Sequence, residues 1–252
     1  MTNKLNHNFS FVIPIYNESL RVNIMLNQIL DFIKSSNLKN IQFIFVNDGS
    51  SDNTDFLINK FLSKNEYLKK YIKVIQYYKN KGKGFALKQG VLEANNKYIC
   101  TTDVDFSVPL NYIEDYLLKD TNFDKFKVHI GDRGHFNSKI KSTFIRKFLG
   151  AIFNKILNIF FKFNTNDTQC GFKIYEKSVA KKIFDRISIF GFAHDIEVLL
   201  ICNLNKIKVN TFPVDWTHKP NSKVNLIKDS ILILLNIIKL KLSNKKKYII
   251  SE

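Results

Sequence analysis

The chain has 252 residues, 45% of them hydrophobic, with only nine Gly and four Pro. That is enough for one large domain with a real core, and it argues against a linker-rich, low-complexity or repeat-built protein. The formal net charge of +17 suits phosphorylated ligands or an anionic membrane surface. Part of that charge is compositional in a chain this rich in Lys, Asn, Ile and Phe, and no zinc-finger spacing or aromatic-interleaved basic run marks a nucleic-acid module. The cysteines Cys100, Cys170 and Cys202 are odd in number and widely spaced, which fits buried thiols in a reducing compartment better than disulfides or a zinc site. Residues 1–10 lack the apolar core of a signal peptide, and no run approaches the ~20 apolar residues that cross a bilayer.

In chain order, residues 9–15 read as a buried strand and 20–34 as an amphipathic helix with apolar positions at Val22, Met25, Leu26, Ile29, Leu30 and Ile33. A second strand, 41–46, leads to a helix over 54–62 that Asp52 or Asn53 can cap. A third, 72–77, is followed by a Gly-Lys turn at 80–84 and a helix over 85–94. Residues 98–102 form a fourth strand, Pro109 fits the first turn of the helix that runs to 118, and 127–130 form a fifth. This alternation predicts a mostly parallel sheet with helices on both faces. Beyond it come an aromatic helical stretch over 144–163, a turn over 164–171, helices over 178–184 and 195–205, and a strand over 208–214. The last helix, 225–242, has a broad apolar face edged by Lys239 and Lys241 and followed by Lys245, Lys246 and Lys247. Two readings stand open for it: a helix lying in a membrane interface, or one packed on the core with a solvated tail.

Three strands end in polar signals at what would be one edge of the sheet: Pro14-Ile-Tyr16-Asn-Glu18, Asn47-Asp48-Gly49 and Asp103-Val-Asp105. Such an edge of an open parallel sheet is a nucleotide crevice. Two carboxylates at a strand end are oxygen ligands for a hard divalent cation. Asn80-Lys-Gly-Lys83-Gly84 opens a helix where backbone N–H groups and an ammonium can meet phosphate. Alone, each has an ordinary reading: a turn at Asp48-Gly49, a helix start at Asn17-Glu18, surface ion pairs for the arginines, and a helix N-cap at Asp195 with Glu197 in its first turn.

Together with Asp167-Thr-Gln169-Cys-Gly-Phe-Lys173, these segments occur in an order and spacing that resembles family 2 glycosyltransferases of the GT-A fold, most of all the branch of dolichyl-phosphate glucosyltransferases and dolichol-phosphate mannose synthases, over about residues 9–242. The resemblance implies an α/β, Rossmann-like, mostly parallel sheet flanked by helices, here taken over residues 1–223, and the C-terminal amphipathic helix with its basic tail occupies 224–252. It implies nucleotide contacts at Pro14, Tyr16, Glu18, Asp48, Lys83 and Asp103, and Mg²⁺ or Mn²⁺ held by Asp103 and Asp105. Arg133 and Arg146 match positions near donor or acceptor phosphates, Asp167 and Gln169 match contacts to the sugar, and Ser222 and Lys223 lie in a late loop that reaches the diphosphate. Asp195 stands where relatives keep an acidic group near the acceptor, so Asp105, Asp195 and Arg133 are the catalytic candidates. Mannose synthases often carry Gln two residues after the second Asp, where this chain has Ser107, and the 167–173 run favours a UDP-hexose over GDP-mannose.

The expected activity is inverting transfer of a hexose, glucose from UDP-glucose first, onto a polyprenyl or dolichyl phosphate by an enzyme lying peripherally on the cytoplasmic face of a membrane. Transfer to a glycan or cell-surface precursor is the alternative, and an inactive fold serving as a basic binding protein is a third. A nucleotidyltransferase is disfavoured, because no glycine-rich loop follows the first strand.

Overall fold

The computed structural model describes residues 5–141, 167–219 and 226–250, together with positions 150, 155, 157, 159–161, 163 and 165. Its strands are β1 (Leu5–Ile15), β2 (Leu38–Asp48), β3 (Ile72–Tyr77), β4 (Tyr98–Thr101), β5 (Val128–Asp132), β6 (Lys139–Lys141), β7 (Lys173–Glu176), β8 (Val209–Pro213) and β9 (Asp215–Thr217). The helices are α1 (Val22–Ser35), α2 (Thr54–Lys64), α3 (Lys83–Glu93), α4 (Tyr112–Lys119), α5 (Lys177–Arg186), α6 (His194–Leu204) and α7 (Leu226–Leu242). Seven strands make one sheet in the order β3-β2-β1-β4-β7-β5-β8, and β6 pairs with β9 beside it. Among the described residues of this sheet only β7 runs antiparallel to its neighbours, between β4 and β5.

The pleat explains how one sheet carries two cores. Successive side chains on a strand point to opposite faces, so Phe9, Phe11, Ile13 and Ile15 of β1 join one cluster while Val12 joins the other. The first cluster is closed by the apolar stripe of α1, Val22, Met25, Leu26 and Ile29, with Ile58 of α2 and Ile113 of α4. Burying one such side chain is worth about 1.5–3 kcal/mol. The second is closed by α3, α5, α6 and α7, with Ile233, Ile237 and Leu240 of α7 inside it. Strands buried on both faces read as near-continuous apolar runs, which is why β1 and β2 were plain in the sequence.

Strand β7 was not foreseen. It has four residues and opens with a lysine, and its antiparallel entry needs no crossover helix to announce it. The helix expected from 20 begins at Val22 and leaves Leu20 exposed. The aromatic stretch 144–163 lies largely outside the described residues.

The chain leaves β1 toward β2 on one side, while β4 lies on the other. The crevice at the carboxyl ends of β1, β2 and β4 is therefore the topological switch point, where open α/β sheets bind ligands.

Candidate active site

The loop after β1 is tied to the loop after β2 by side chains chosen for short reach. Asn17, at φ 51°, is a residue type that tolerates the left-handed region. Its Oδ1 accepts from the Ser51 N–H at 2.7 Å, and its own N–H donates to Ser50 Oγ at 2.9 Å. The Glu18 N–H donates to Thr54 Oγ1 at 2.7 Å and the Ser19 N–H to Asp52 Oδ2 at 3.0 Å. Asp52 also accepts from the Thr54 N–H at 3.0 Å, but it stands one residue before the N-cap, Asn53, which makes no side-chain cap bond. Burial works against its ionised form, but the bonds from Thr54 and Ser19 outweigh that and hold its pKa at about 2. Tyr16 lies exposed at the lip, and Pro14 sits in the β1 ladder opposite Val46.

Asp48, at the end of β2, faces the 80–82 turn. Its carboxylate accepts from the N–H groups of Lys81 and Gly82, both at 2.8 Å, and from Asn80 Nδ2 at 2.9 Å. A carboxylate has about four acceptor positions, so this one shapes the loop and keeps little capacity for a base. Gly82 has φ +100°, and a Cβ there would overlap the Phe190 carbonyl, so no side chain fits this turn. The turn delivers Lys83 to the crevice, where its Nζ lies 2.6 Å from Asp103 Oδ1. Burial alone would lower the Lys83 pKa, but Asp103 and Asp195 more than offset it and hold the ammonium above its ordinary value. Burial likewise opposes ionisation of Asp103, and Lys83 keeps that carboxyl below the usual range.

Asp103 and Asp105 both project into the crevice, with side chains 40% and 17% exposed. Asp105 Oδ1 accepts from the Ser107 N–H at 3.0 Å and from Ser107 Oγ at 2.8 Å, across Phe106 at φ 44°. Non-glycine residues with positive φ are uncommon and cluster at functional sites. On its other side Asp105 Oδ2 lies 3.4 Å from Arg21 Nη1. Arg21 is held in a two-bond fork by Glu18, at 2.7 and 2.6 Å. Gly171 lies against Asp103, and a Cβ there would stand 2.8 Å from Asp103 Cγ. A shallow, open hollow is lined by Asp103, Ser107, Gly171 and Trp216, among others.

Asp167 and Arg133 form the second charged pair. Arg133 Nε and Nη2 donate to Asp167 at 2.6 and 2.8 Å, and the N–H groups of Arg133 and Gln169 add bonds at 3.0 and 3.1 Å. Asp167 is 4% exposed. Burial opposes its ionised form, yet Arg133 holds the carboxyl below the usual range. The structure thus assigns this carboxylate to Arg133, with the guanidinium set 5.6 Å from the Trp216 ring centre.

Beneath the crevice, Lys173 is fully buried. Its Nζ bonds Asp195 Oδ1 at 2.6 Å and the Cys170 carbonyl at 2.5 Å. Asp195 therefore lies in the first turn of α6, which starts at His194, and does not cap it. Burial would raise its pKa, but His194, Lys173 and Lys83 keep it depressed. Glu197, also buried, accepts from the Ser188 and Ile189 N–H groups and from Tyr248 OH, a scaffold role. Arg146, Ser222 and Lys223 lie outside the described residues. Sequence reasoning did not single out Arg21 or assign a role to Lys173, since Asp105 and Asp195, the carboxylates that give them one, lie 84 and 22 residues away in sequence.

A switch-point crevice edged by paired carboxylates and basic side chains suits a phosphorylated ligand. Residues 10–184 match glycosyl transferase family 2, and the chain belongs to that family. It is 31% identical to the dolichyl-phosphate beta-glucosyltransferase of Saccharomyces cerevisiae over 243 residues, covering 91% of this chain and 72% of that one. The Homo sapiens protein of the same name is 28% identical over 226 residues, covering 85% and 69%. Among solved structures, glucosyl-3-phosphoglycerate synthase of Mycobacterium tuberculosis in complex with Mn²⁺, UDP and glucosyl-3-phosphoglycerate shares the fold, with TM-score 0.65 and 12% identity over 92% of this chain and 79% of that one.

Proposed function

We propose that the protein transfers glucose from UDP-glucose to the phosphate of a dolichyl or similar polyprenyl lipid, with inversion at the anomeric carbon. The observation that carries this reading is the Asp103/Asp105 pair, set at the switch point beside a hollow lined by Ser107, Gly171 and Trp216, in a chain related to dolichyl-phosphate glucosyltransferases. The two carboxylates fit a hard divalent cation: their donors are all oxygen, both are partly open to solvent, and each already draws a basic side chain. Mg²⁺ or Mn²⁺ bound there would supply positive charge toward the departing diphosphate.

The chain's own residues account for the rest. Lys83 is poised at the crevice to meet phosphate oxygens, and Arg133 is pre-oriented by Asp167, which lowers the reorganisation needed at the transition state. Arg146, Ser222 and Lys223 are proposed as further phosphate contacts, Gln169 as a sugar contact, and Tyr16, Pro14 and Glu18 as the nucleotide edge. Asp195 is already committed to Lys173 and acidic in character. That suits a phosphate acceptor, which is anionic at neutral pH and needs no general base, so Asp195 is assigned an orienting role.

Helix α7 supports a membrane-facing enzyme. It buries Ile233, Ile237 and Leu240 while leaving Ile231, Leu235, Ile238 and Leu242 exposed, and Ile159 and Phe160 are exposed as well. Lys241 lies 4.6 Å from the Phe160 ring centre, and Lys245 to Lys247 follow. An apolar face edged by lysines suits the interface of an anionic bilayer, so peripheral attachment at a cytoplasmic face is proposed. Among the described residues no helix is long and apolar enough to cross a membrane.

The donor is tested by thermal shift with UDP, GDP, UDP-glucose and GDP-mannose, each with and without Mn²⁺, because a ligand of the folded state raises the melting temperature. A metal-dependent shift with the uridine compounds is expected. A shift confined to guanosine compounds would overturn the donor assignment.

A further inference from the structure

The carboxylates proposed to hold the metal are each paired with a cation of the chain itself. Asp103 has Lys83 at 2.6 Å and Asp105 has Arg21 at 3.4 Å. The two contacts differ in kind. Lys83 enters from the 80–84 turn on a flexible stem, whereas the Arg21 guanidinium is fixed by the Glu18 fork at 2.7 and 2.6 Å, leaving Nη1 directed at Asp105. Arg21 is also the N-cap residue of α1, a helix with no acidic residue in its first turn. A cation is disfavoured at a helix N-terminus, so its position there depends on Glu18 and Asp105. Asp105 has little other freedom, because Oδ1 is fastened by both the N–H and the hydroxyl of Ser107. The oxygen left to ligate a metal is Oδ2, the one Arg21 holds.

From this geometry we infer that Arg21 is a resident latch on the metal site: its guanidinium holds Asp105 Oδ2 until a diphosphate arrives and takes it in exchange, so that cation and donor bind together. The long 3.4 Å contact, against the short Glu18 pair, lets Asp105 be released while Arg21 stays anchored within reach of phosphate. Lys83 makes the same exchange at Asp103. The inference rests on the donor-site reading above. It makes Arg21 a positioning residue whose effect is on the coupling between two ligands, and that coupling is reciprocal.

The test is Mn²⁺ binding to the full chain, followed by the electron paramagnetic resonance of free Mn²⁺, with and without saturating UDP. Arg21→Gln removes the latch. Glu18→Gln/Arg21→Gln removes it with no change in local net charge and leaves only Asp105 without its cation; because Glu18 is itself placed at the nucleotide edge, this variant is read by Mn²⁺ binding without UDP, which keeps the test usable if the single variant folds poorly. Arg21→Lys retains the charge and is expected to restore part of the effect. In both variants without the latch, Mn²⁺ binding in the absence of UDP is expected to tighten at least fivefold, and in Arg21→Gln the ratio of affinities with and without UDP is expected to fall by a similar factor, within the range usual for coupled sites. Unchanged Mn²⁺ affinity without UDP in a folded double variant overturns the latch and leaves the donor site standing. No Mn²⁺ binding by the wild-type chain even with UDP overturns the donor-site reading, and the latch with it.

Discussion

Replacing Asp167 by Asn separates two roles for this residue, a clamp on Arg133 and a contact to the sugar. In the structure its carboxylate accepts four bonds, two from the Arg133 side chain and two from backbone N–H groups. Asparagine keeps the shape but removes the charge and turns one acceptor into a donor that faces other donors. Each charge-assisted bond contributes about 1.5–3 kcal/mol, and breaking a fully buried pair costs about 3–5 kcal/mol. The Arg133 side chain is a third exposed and regains water, so about 3 kcal/mol is expected. For a chain of this size that lowers the melting temperature by about 6–12 °C. The deficit depends on pH. Asp167 titrates below its ordinary value when folded, so its stabilisation is complete above an unfolded pKa of about 3.9 and is lost as pH falls through the folded pKa. The gap between wild type and variant should therefore close in acid. Turnover should fall about a hundredfold as Arg133 loses its orientation, for every UDP-sugar alike. A variant that melts within 2 °C of wild type and loses only discrimination among UDP-sugars would refute the clamp.

Gly171→Ala is expected to push the Asp103 carboxylate aside, weakening Mn²⁺-dependent UDP binding, as read by thermal shift, at a stability cost of about 1–3 kcal/mol. Asp52 titrates at about 2 against an ordinary 3.8. That difference is equivalent to about 2.4 kcal/mol, and about half of it is expected after solvent screening. Its share of stability is present above about pH 4 and lost as pH falls toward 2, so urea midpoints of wild type and Asp52→Asn should converge over that range and differ above it. Exchanging Ile231, Leu235, Ile238 and Leu242 for Gln should abolish sedimentation with anionic vesicles and leave melting unchanged. Ile237→Ala, on the buried face of α7, should instead cost about 2–5 kcal/mol.

What could be read without the structure was what a local pattern encodes. The buried parallel strands are continuous apolar runs, and the polar residues that end them, Glu18, Asp48, Asp103 and Asp105, mark the crevice because a strand end is where the pattern breaks. Partnerships across the fold leave no such mark. Nothing near Asp167 in the chain announces that its carboxylate belongs to Arg133, 34 residues earlier. Lys173 stands between Phe172 and Ile174 with nothing local to mark it, yet its ammonium is buried on Asp195. Arg21 reads as an ordinary helix-start residue until Asp105 is brought to it from 84 residues away. For α7 the broad apolar face left core and membrane open, and the structure shows one stripe buried and another exposed, which a helix apolar on most sides can do at once.

Lipid glucosylation is read by incubating the chain with Mn²⁺, labelled UDP-glucose and vesicles containing dolichyl phosphate. The expected product is a labelled lipid that releases glucose under mild acid, formed in proportion to acceptor and absent with Asp105→Ala that remains folded. Label passing only to a soluble glycan, or a lipid product formed equally well by Asp105→Ala, would contradict the proposed transfer.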